Sequence, residues 1–171
     1  DKYIRFYIIV LCYNCDKWIY HCITSIIQSF YKNMYICIID DCSTDNTCNI
    51  IKLFASDYNY INVIHNNTNK GGLYNIVNGI SSFTNIKDDD IICIIDGDDW
   101  LPSHNITFDI LSYVYNNSTC WITCGRFIYH SDQWSSNMNG KLFHANMIKP
   151  DIIINRSFRK ETWIYTHLRT F

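Results

Sequence analysis

No stretch of this 171-residue chain comes near the ~20 consecutive apolar residues of a membrane-spanning helix, so this segment carries no span. A basic excess is missing too. Fourteen Lys and Arg face sixteen Asp and Glu, for a net charge of −2, and with a pI near 6.3 there is no footprint for nucleic acid or an acidic membrane. Internal repeats, low-complexity tracts and linkers are absent, and 48% hydrophobic with 18% charged residues are ordinary globular values, which excludes a disordered chain. One domain is expected. At this length it buries about 70% of its unfolded surface, so a core forms without disulfides.

Cysteine, by contrast, is plentiful. The nine cysteines are an odd set, and several fall inside apolar runs where a thiol behaves as a small hydrophobe. They point to a reduced compartment, the cytoplasm or the cytosolic face of a membrane, rather than to secretion. Cys12-Tyr-Asn-Cys15 has redox or zinc spacing, but no Cys/His pair closes such a site at the usual intervals, and the plain thiol reading is preferred. The chain begins at Asp1 without methionine and stops at Phe171 inside a helix-like pattern, so both ends read as fragment boundaries.

Short apolar runs alternate with helix-period segments in the order βαβαβαβαβ, the pattern of a parallel sheet crossed by helices. Strands are expected near residues 5–12, 34–39, 61–64, 91–95 and 121–129. Trp18, Cys22, Ile26 and Phe30 recur at four-residue steps with Ile19, Ile23 and Ile27 beside them, which is a helix packed on a sheet. Ser43 or Thr44 can cap a second helix running towards Phe54. A third spans residues 72–83 behind a tight Gly71-Gly72 bend, and a fourth starts at Pro102-Ser103 and turns Ile106, Ile110, Leu111 and Val114 inward. Residues 131–149 read as loop and 157–171 as helical.

Two acidic clusters sit just past strand carboxyl ends: Asp40-Asp41, and Asp96-Gly-Asp98-Asp99. That edge is where open α/β sheets bind ligands. Neither cluster has Arg or Lys within three positions. Like charges ~4 Å apart at an effective dielectric of ~20 repel by about 4 kcal/mol, so converging carboxylates call for a cation. Oxygen ligands around one small residue suit Mg²⁺ or Mn²⁺, which complete their shells with water and substrate phosphate. The plainer alternative is that these aspartates cap helices and turns, which is common for either cluster alone. Both at equivalent strand ends favour a site.

Four segments in order carry a resemblance to the family 2 glycosyltransferases: Ile8-Ile-Val-Leu-Cys-Tyr13-Asn14, Ile39-Asp40-Asp41-Cys-Ser43-Thr-Asp45-Asn-Thr47, Lys70-Gly-Gly72-Leu-Tyr-Asn75 and Ile95-Asp96-Gly-Asp98-Asp99-Trp100. They and their linking elements span residues 4–130. The resemblance implies an α/β GT-A fold, a Rossmann-like, mostly parallel sheet flanked by helices and truncated at the carboxyl terminus. Residues 1–130 would be the nucleotide-sugar-binding core and 131–171 the start of the acceptor region of one incomplete domain. By the same resemblance Tyr13 and Asn14 lie beside the nucleotide base and Asp41 accepts a hydrogen bond from it, uracil in the usual donors. Asp40 belongs to the same donor-binding set. Asp96 sits near the ribose and phosphates, Asp98 and Asp99 hold Mn²⁺ or Mg²⁺ on the diphosphate, and Gly72 and Asn75 pass close to the donor. Two places depart from the pattern. Cys42 replaces a frequent glycine, a sterically mild change, and Ile76 with Val77 replaces polar residues.

The activity implied is hexosyl-type transfer from a nucleotide-diphosphate sugar, a UDP-sugar by the usual pattern, to a hydroxyl of a glycan, lipid or protein, with inversion. A divalent ion offsets charge on the leaving diphosphate. The acidic pair expected after the fifth strand as general base is absent; Asp132, Asp151 and Glu161 are isolated, and the base is expected beyond residue 171. A lone His167 reads as structural. The rivals are a sugar-nucleotide pyrophosphorylase, whose Gly-rich basic signature is missing after the first strand, and a non-catalytic nucleotide-sugar-binding module.

Overall fold

Strands that are apolar at every position need cover on both faces, and the sheet is built to supply it. The computed structural model describes residues 3–102, 106–128, 130, 142–143 and 169–170. The chain runs β1 (Phe6–Cys12), α1 (Ile19–Ile27), β2 (Met34–Asp40), α2 (Thr47–Asp57), β3 (Ile61–His65), α3 (Gly72–Ser82), β4 (Ile91–Asp96) and α4 (Thr107–Asn117). Four two-residue strands follow: β5 (Thr123–Cys124), β6 (Phe127–Ile128), β7 (Leu142–Phe143) and β8 (Arg169–Thr170). The main sheet has the order β3-β2-β1-β4-β8-β5. β1 to β4 pair in parallel, β8 is antiparallel to both β4 and β5, and β6 and β7 form a separate antiparallel pair.

Alternation along the strands sorts the side chains between two cores. Phe6, Ile8, Val10 and Cys12 of β1 meet α1 through Ile19, Cys22, Ile23 and Ile26, α2 through Ile51, and α4 through Phe108 and Leu111. Each fully buried Ile or Phe there stabilises by about 1.5–3 kcal/mol relative to exposure. The opposite face is thinner, with Ile9, Cys37 and Ile39 under α3. That helix lies so close that a Cβ on Gly79 would meet Ile39 Cδ1 at 3.0 Å and Ile9 Cγ2 at 3.1 Å. From β1 the chain steps outward to β2 and β3, then crosses to β4 on the other side of β1. The order therefore reverses beside the carboxyl end of β1, which is where such sheets leave a crevice.

Several expectations shift. α1 ends at Ile27, leaving Phe30 outside it and 76% exposed. α4 begins at Thr107 rather than at Pro102-Ser103, and Ile106 and Ile110 are exposed while Phe108 and Leu111 are buried. Phe108 sets that stripe by packing its ring 5.2 Å from Phe6. The fifth strand breaks into β5 and β6, which belong to different sheets, and β7 falls in a stretch read as loop. Arg169–Thr170, read as helical, is a strand. Thr170 is fully buried, its hydroxyl is hydrogen-bonded with Tyr115 at 2.8 Å and with Thr123, and its backbone pairs with the outer edge of β4. An edge of unpaired amides and carbonyls recruits whatever extended segment the chain can bring to it. The remainder of 157–171 lies outside the described residues. Among the described residues no helix is long and apolar enough to cross a membrane.

Candidate active site

β1 ends between the two acidic turns. The Asp41 amide donates to the Cys12 carbonyl oxygen at 2.8 Å, and the Gly97 amide to the Leu11 carbonyl oxygen at 2.7 Å. Both acidic segments thus hang from consecutive carbonyls of one strand. With neighbouring strands ~4.8 Å apart, the two clusters start from backbones roughly 10 Å apart. A hollow lined by Ile27, Met34 and Tyr60 lies at the amino-terminal end of β2, the opposite end from the acidic turns, and has no acidic lining.

Being adjacent on an extended strand end, Asp40 and Asp41 part to opposite faces. Asp41, 5% exposed, turns towards α3 and accepts hydrogen bonds from Asn66 Nδ2 and the Lys70 amide at 2.8 Å each and from the Gly71 amide at 2.9 Å. Asn75, 2% exposed, closes the group by accepting from Asn66 at 2.7 Å. Burial pushes the Asp41 carboxyl up, but the Lys70, Asn66, Asn75 and Gly71 donors outweigh it and hold it below its ordinary 3.8. Asp40, fully buried, faces the α2 side, where His65 Nδ1 lies 2.6 Å from its Oδ2.

The Asp96–Asp99 segment is a tight turn, closed by the Asp99 amide donating to the Asp96 carbonyl at 3.0 Å. Sequence alone made Gly97 a flexible spacer; the structure gives it a steric task. A Cβ there would meet Cys12 Sγ and the Leu11 carbonyl oxygen at 2.9 Å and Cys15 Sγ at 3.0 Å. Asp98 is exposed, and Asp96 and Asp99 are half-buried. Burial, with a smaller push from the charges of Cys15, Asp99, Asp98 and Asp96, raises the nearby Cys22 thiol well above its usual value. An all-carboxylate donor set of this kind fits a hard ion such as Mg²⁺ or Mn²⁺.

The loops after β1 and β2 are laced together. Asn14 donates its amide to Ser43 Oγ at 3.0 Å and accepts from the Thr44 amide at 2.8 Å, so Ser43 and Thr44 bind this loop rather than cap α2. α2 starts beside Asp45, whose carboxylate accepts from the Thr47 and Asp16 amides at 3.0 and 3.1 Å. Tyr13 projects from the same loop, 54% exposed. Cys42 is not a mild replacement for glycine: its φ is +64°, in the left-handed region. A side chain there costs about 1–2 kcal/mol. On the third segment the backbone demand falls on Gly71, with φ +81°, while a Cβ on Gly72 would meet nothing within 4 Å.

Beyond the Asp98 turn, Trp18 and Trp100 stack at 5.9 Å with His130 edge-on to both. Cys12 and Cys15 are buried, and their interaction raises the first thiol and lowers the second. Sequence reasoning passed over His65, Asn66 and the Lys70-Gly71 amides. The first two follow β3 at the same sheet edge, so the rule that picked out the aspartates reaches them as well. Asp132, Asp151, Glu161 and His167 lie outside the described residues.

Comparison with known proteins bears on the family and the fold. Glycosyltransferase GlyG of Streptococcus pneumoniae serotype 4 is 36% identical over 100 residues, covering 58% of this chain and 32% of that protein. dTDP-rhamnosyl transferase RfbG of Shigella flexneri is 33% identical over 110 residues, covering 64% and 38%. The chain thus spans 30% to 38% of the length of the curated relatives it matches. Among solved structures, TarS of S. aureus in complex with UDP-GlcNAc aligns with a TM-score of 0.54 at 24% identity, covering 64% of this chain and 30% of that one. The mannosyltransferase PcManGT from Pyrobaculum calidifontis, in complex with GDP-Man and Mn²⁺, aligns with a TM-score of 0.57 at 18% identity, covering 71% and 34%. These likenesses identify the sheet as that of the GT-A glycosyltransferases. The model of Glycosyl transferase family 2 matches residues 7–169, nearly the whole length, and this chain belongs to that family.

Proposed function

We propose that this protein takes part in transferring a hexosyl-type sugar from a UDP-sugar to a hydroxyl of a glycan, lipid or protein acceptor, with inversion and with Mn²⁺ or Mg²⁺ at the Asp98 turn. The observation that carries the reading is the suspension of both acidic segments from Leu11 and Cys12, which gathers the motif residues on one rim. Family membership supports sugar transfer, and the TarS complex with UDP-GlcNAc supports the donor class. The Mn²⁺ in the PcManGT complex supports the ion. The GDP-Man complex and the dTDP-rhamnosyl transferase differ from it in the base, and the test compares the three bases directly.

In this reading the exposed Tyr13 and the Asn14 loop bracket the base. Asp41, together with Asn75, holds the Lys70-Gly71 turn and offers its carboxylate to the base edge. Asp40 steadies the end of β2 beneath the donor, and Gly72 leaves room for it. Asp96 orients the ribose and phosphates. Asp98 and Asp99 are the carboxylates suited to hold the ion, which when bound supplies Lewis-acid relief of charge on the departing diphosphate. Trp100, 40% exposed and stacked on Trp18, offers a flat face beside that turn for an acceptor sugar ring.

Calorimetry of the 171-residue chain with UDP, GDP and dTDP, each with and without Mn²⁺, tests the reading. UDP is expected to bind only with the ion, and Asp98→Ala is expected to abolish that binding. Ion-independent binding that survives the substitution overturns it. Sugar release by a longer form of the protein would separate an enzyme from a module that only binds.

A further inference from the structure

Asp40, Cys48 and His65 arrive from three elements at one point. Asp40 ends β2 and His65 ends β3, and the two are cross-strand partners in the parallel register. Cys48 is the second residue of α2, the helix covering that face. One ligand atom from each lies within 4.8 Å of the others: His65 Nδ1 is 2.6 Å from Asp40 Oδ2 and 3.8 Å from Cys48 Sγ. The second oxygen of Asp40 is already occupied, accepting from the Ser43 amide at 3.3 Å.

Both the thiol and the carboxylate address the same ring nitrogen. A nucleophile relay needs them on different nitrogens, one taking the thiol proton and the other orienting the ring. Nδ1 carries at most one proton and can satisfy only one of its two neighbours. Three donor atoms converging on one point are instead the arrangement of a chelate. Thiolate, imidazole and carboxylate together suit Zn²⁺ and not the hard ions favoured by the Asp98 turn.

The three ligand atoms lie close to such a geometry, with one pair too near. Zinc bonds of ~2.3 Å to sulfur and ~2.0–2.2 Å to nitrogen or oxygen put tetrahedral ligand atoms roughly 3.3–3.6 Å apart. The nitrogen–sulfur pair is already close to this, and the 2.6 Å nitrogen–oxygen pair opens once an ion replaces the shared proton. The Ser43 amide anchors the far carboxylate oxygen as an outer partner. The His65 side chain is 45% exposed, so a fourth position faces solvent.

We propose that Asp40, Cys48 and His65 form a zinc-type site, distinct from the Asp98 turn, with water as the fourth ligand. Binding releases the Cys48 thiol proton to solvent, leaves the His65 ring proton on Nε2 in place of Nδ1, and ties α2 to the carboxyl ends of β2 and β3. The site does not depend on the donor proposed above, though it gives Asp40 a task other than donor contact.

Co²⁺ added to the 171-residue chain serves as the probe. The expected result is a thiolate-to-cobalt charge-transfer band that saturates at one ion per chain and is displaced by Zn²⁺. It disappears in Cys48→Ala and in His65→Asn, whose folding is checked by circular dichroism, and it persists in Cys124→Ala and Asp98→Ala. No band at all overturns the site. A band that survives Cys48→Ala also overturns it, since the thiolate would then come from elsewhere, such as the Cys12–Cys15 pair. Retention in Asp98→Ala, with UDP binding lost there, separates this site from the donor reading.

Discussion

Asp41 is nearly sealed from solvent yet held ionised by amide donors rather than by a cation. Because its folded pKa lies below the ordinary 3.8, its contribution to stability is fully present above that value and fades as pH falls through the lower folded one. Asp45 and Asp90, also lowered by their hydrogen bonds against the effect of burial, act in the same direction. Urea denaturation followed from neutral to acid pH should show stability falling below pH ~4. Asp41→Asn should flatten part of that acid limb and lose about 1–3 kcal/mol at neutral pH, since it sets an amide against two backbone N–H groups. An unchanged acid limb in the variant would mean that Asp41 is not held as described. The aspartate itself was legible in the sequence, but its donors were not, because Asn66 and Lys70 lie 25 and 29 positions away and reach it only through β3 and the following turn.

Elements meet closely at Gly97 and not at Gly72, and the pair separates structural from ligand effects. Gly97→Ala would drive a Cβ into the backbone oxygen of Leu11, which cannot rotate away. A loss of about 1–3 kcal/mol is expected, read by urea denaturation, with nucleotide binding weakened as the Asp98 turn shifts. Gly72→Ala meets nothing, so its stability should stay within about 0.5 kcal/mol. Any loss of UDP affinity in that variant then reports crowding of the ligand itself. Stability lost equally in both would count against the steric distinction. Periodicity located α1 as far as Ile27, since its buried residues Ile19, Cys22, Ile23 and Ile26 recur at helical spacing. It misjudged α4, where Phe108 claimed the core position beside Phe6 and turned Ile106 and Ile110 outward.

At the scale of the molecule, β8 covers the β4 edge and lies between β4 and β5. Deleting residues 169–171 removes the Thr170 hydroxyl from Tyr115 and Thr123 and bares the amides and carbonyls of β4. An exposed strand edge pairs with other chains, so the shortened protein should melt at lower temperature and self-associate, as calorimetry and light scattering would show. A monomer of unchanged melting temperature would make β8 dispensable.

Isoleucine-rich runs, helix-period spacing and the placement of aspartates at strand ends are local properties of the amino-acid order, and they sufficed for the parallel α/β plan, for the two acidic turns and for the family resemblance. Contacts between distant segments were beyond their reach. The hold of Asn66 and Gly71 on Asp41, the close approach at Gly97, the convergence of Asp40, Cys48 and His65, and the capture of Arg169–Thr170 as a strand all arise when the sheet brings separate stretches within hydrogen-bonding distance. No local pattern encodes such distances, because they depend on where every other element has packed.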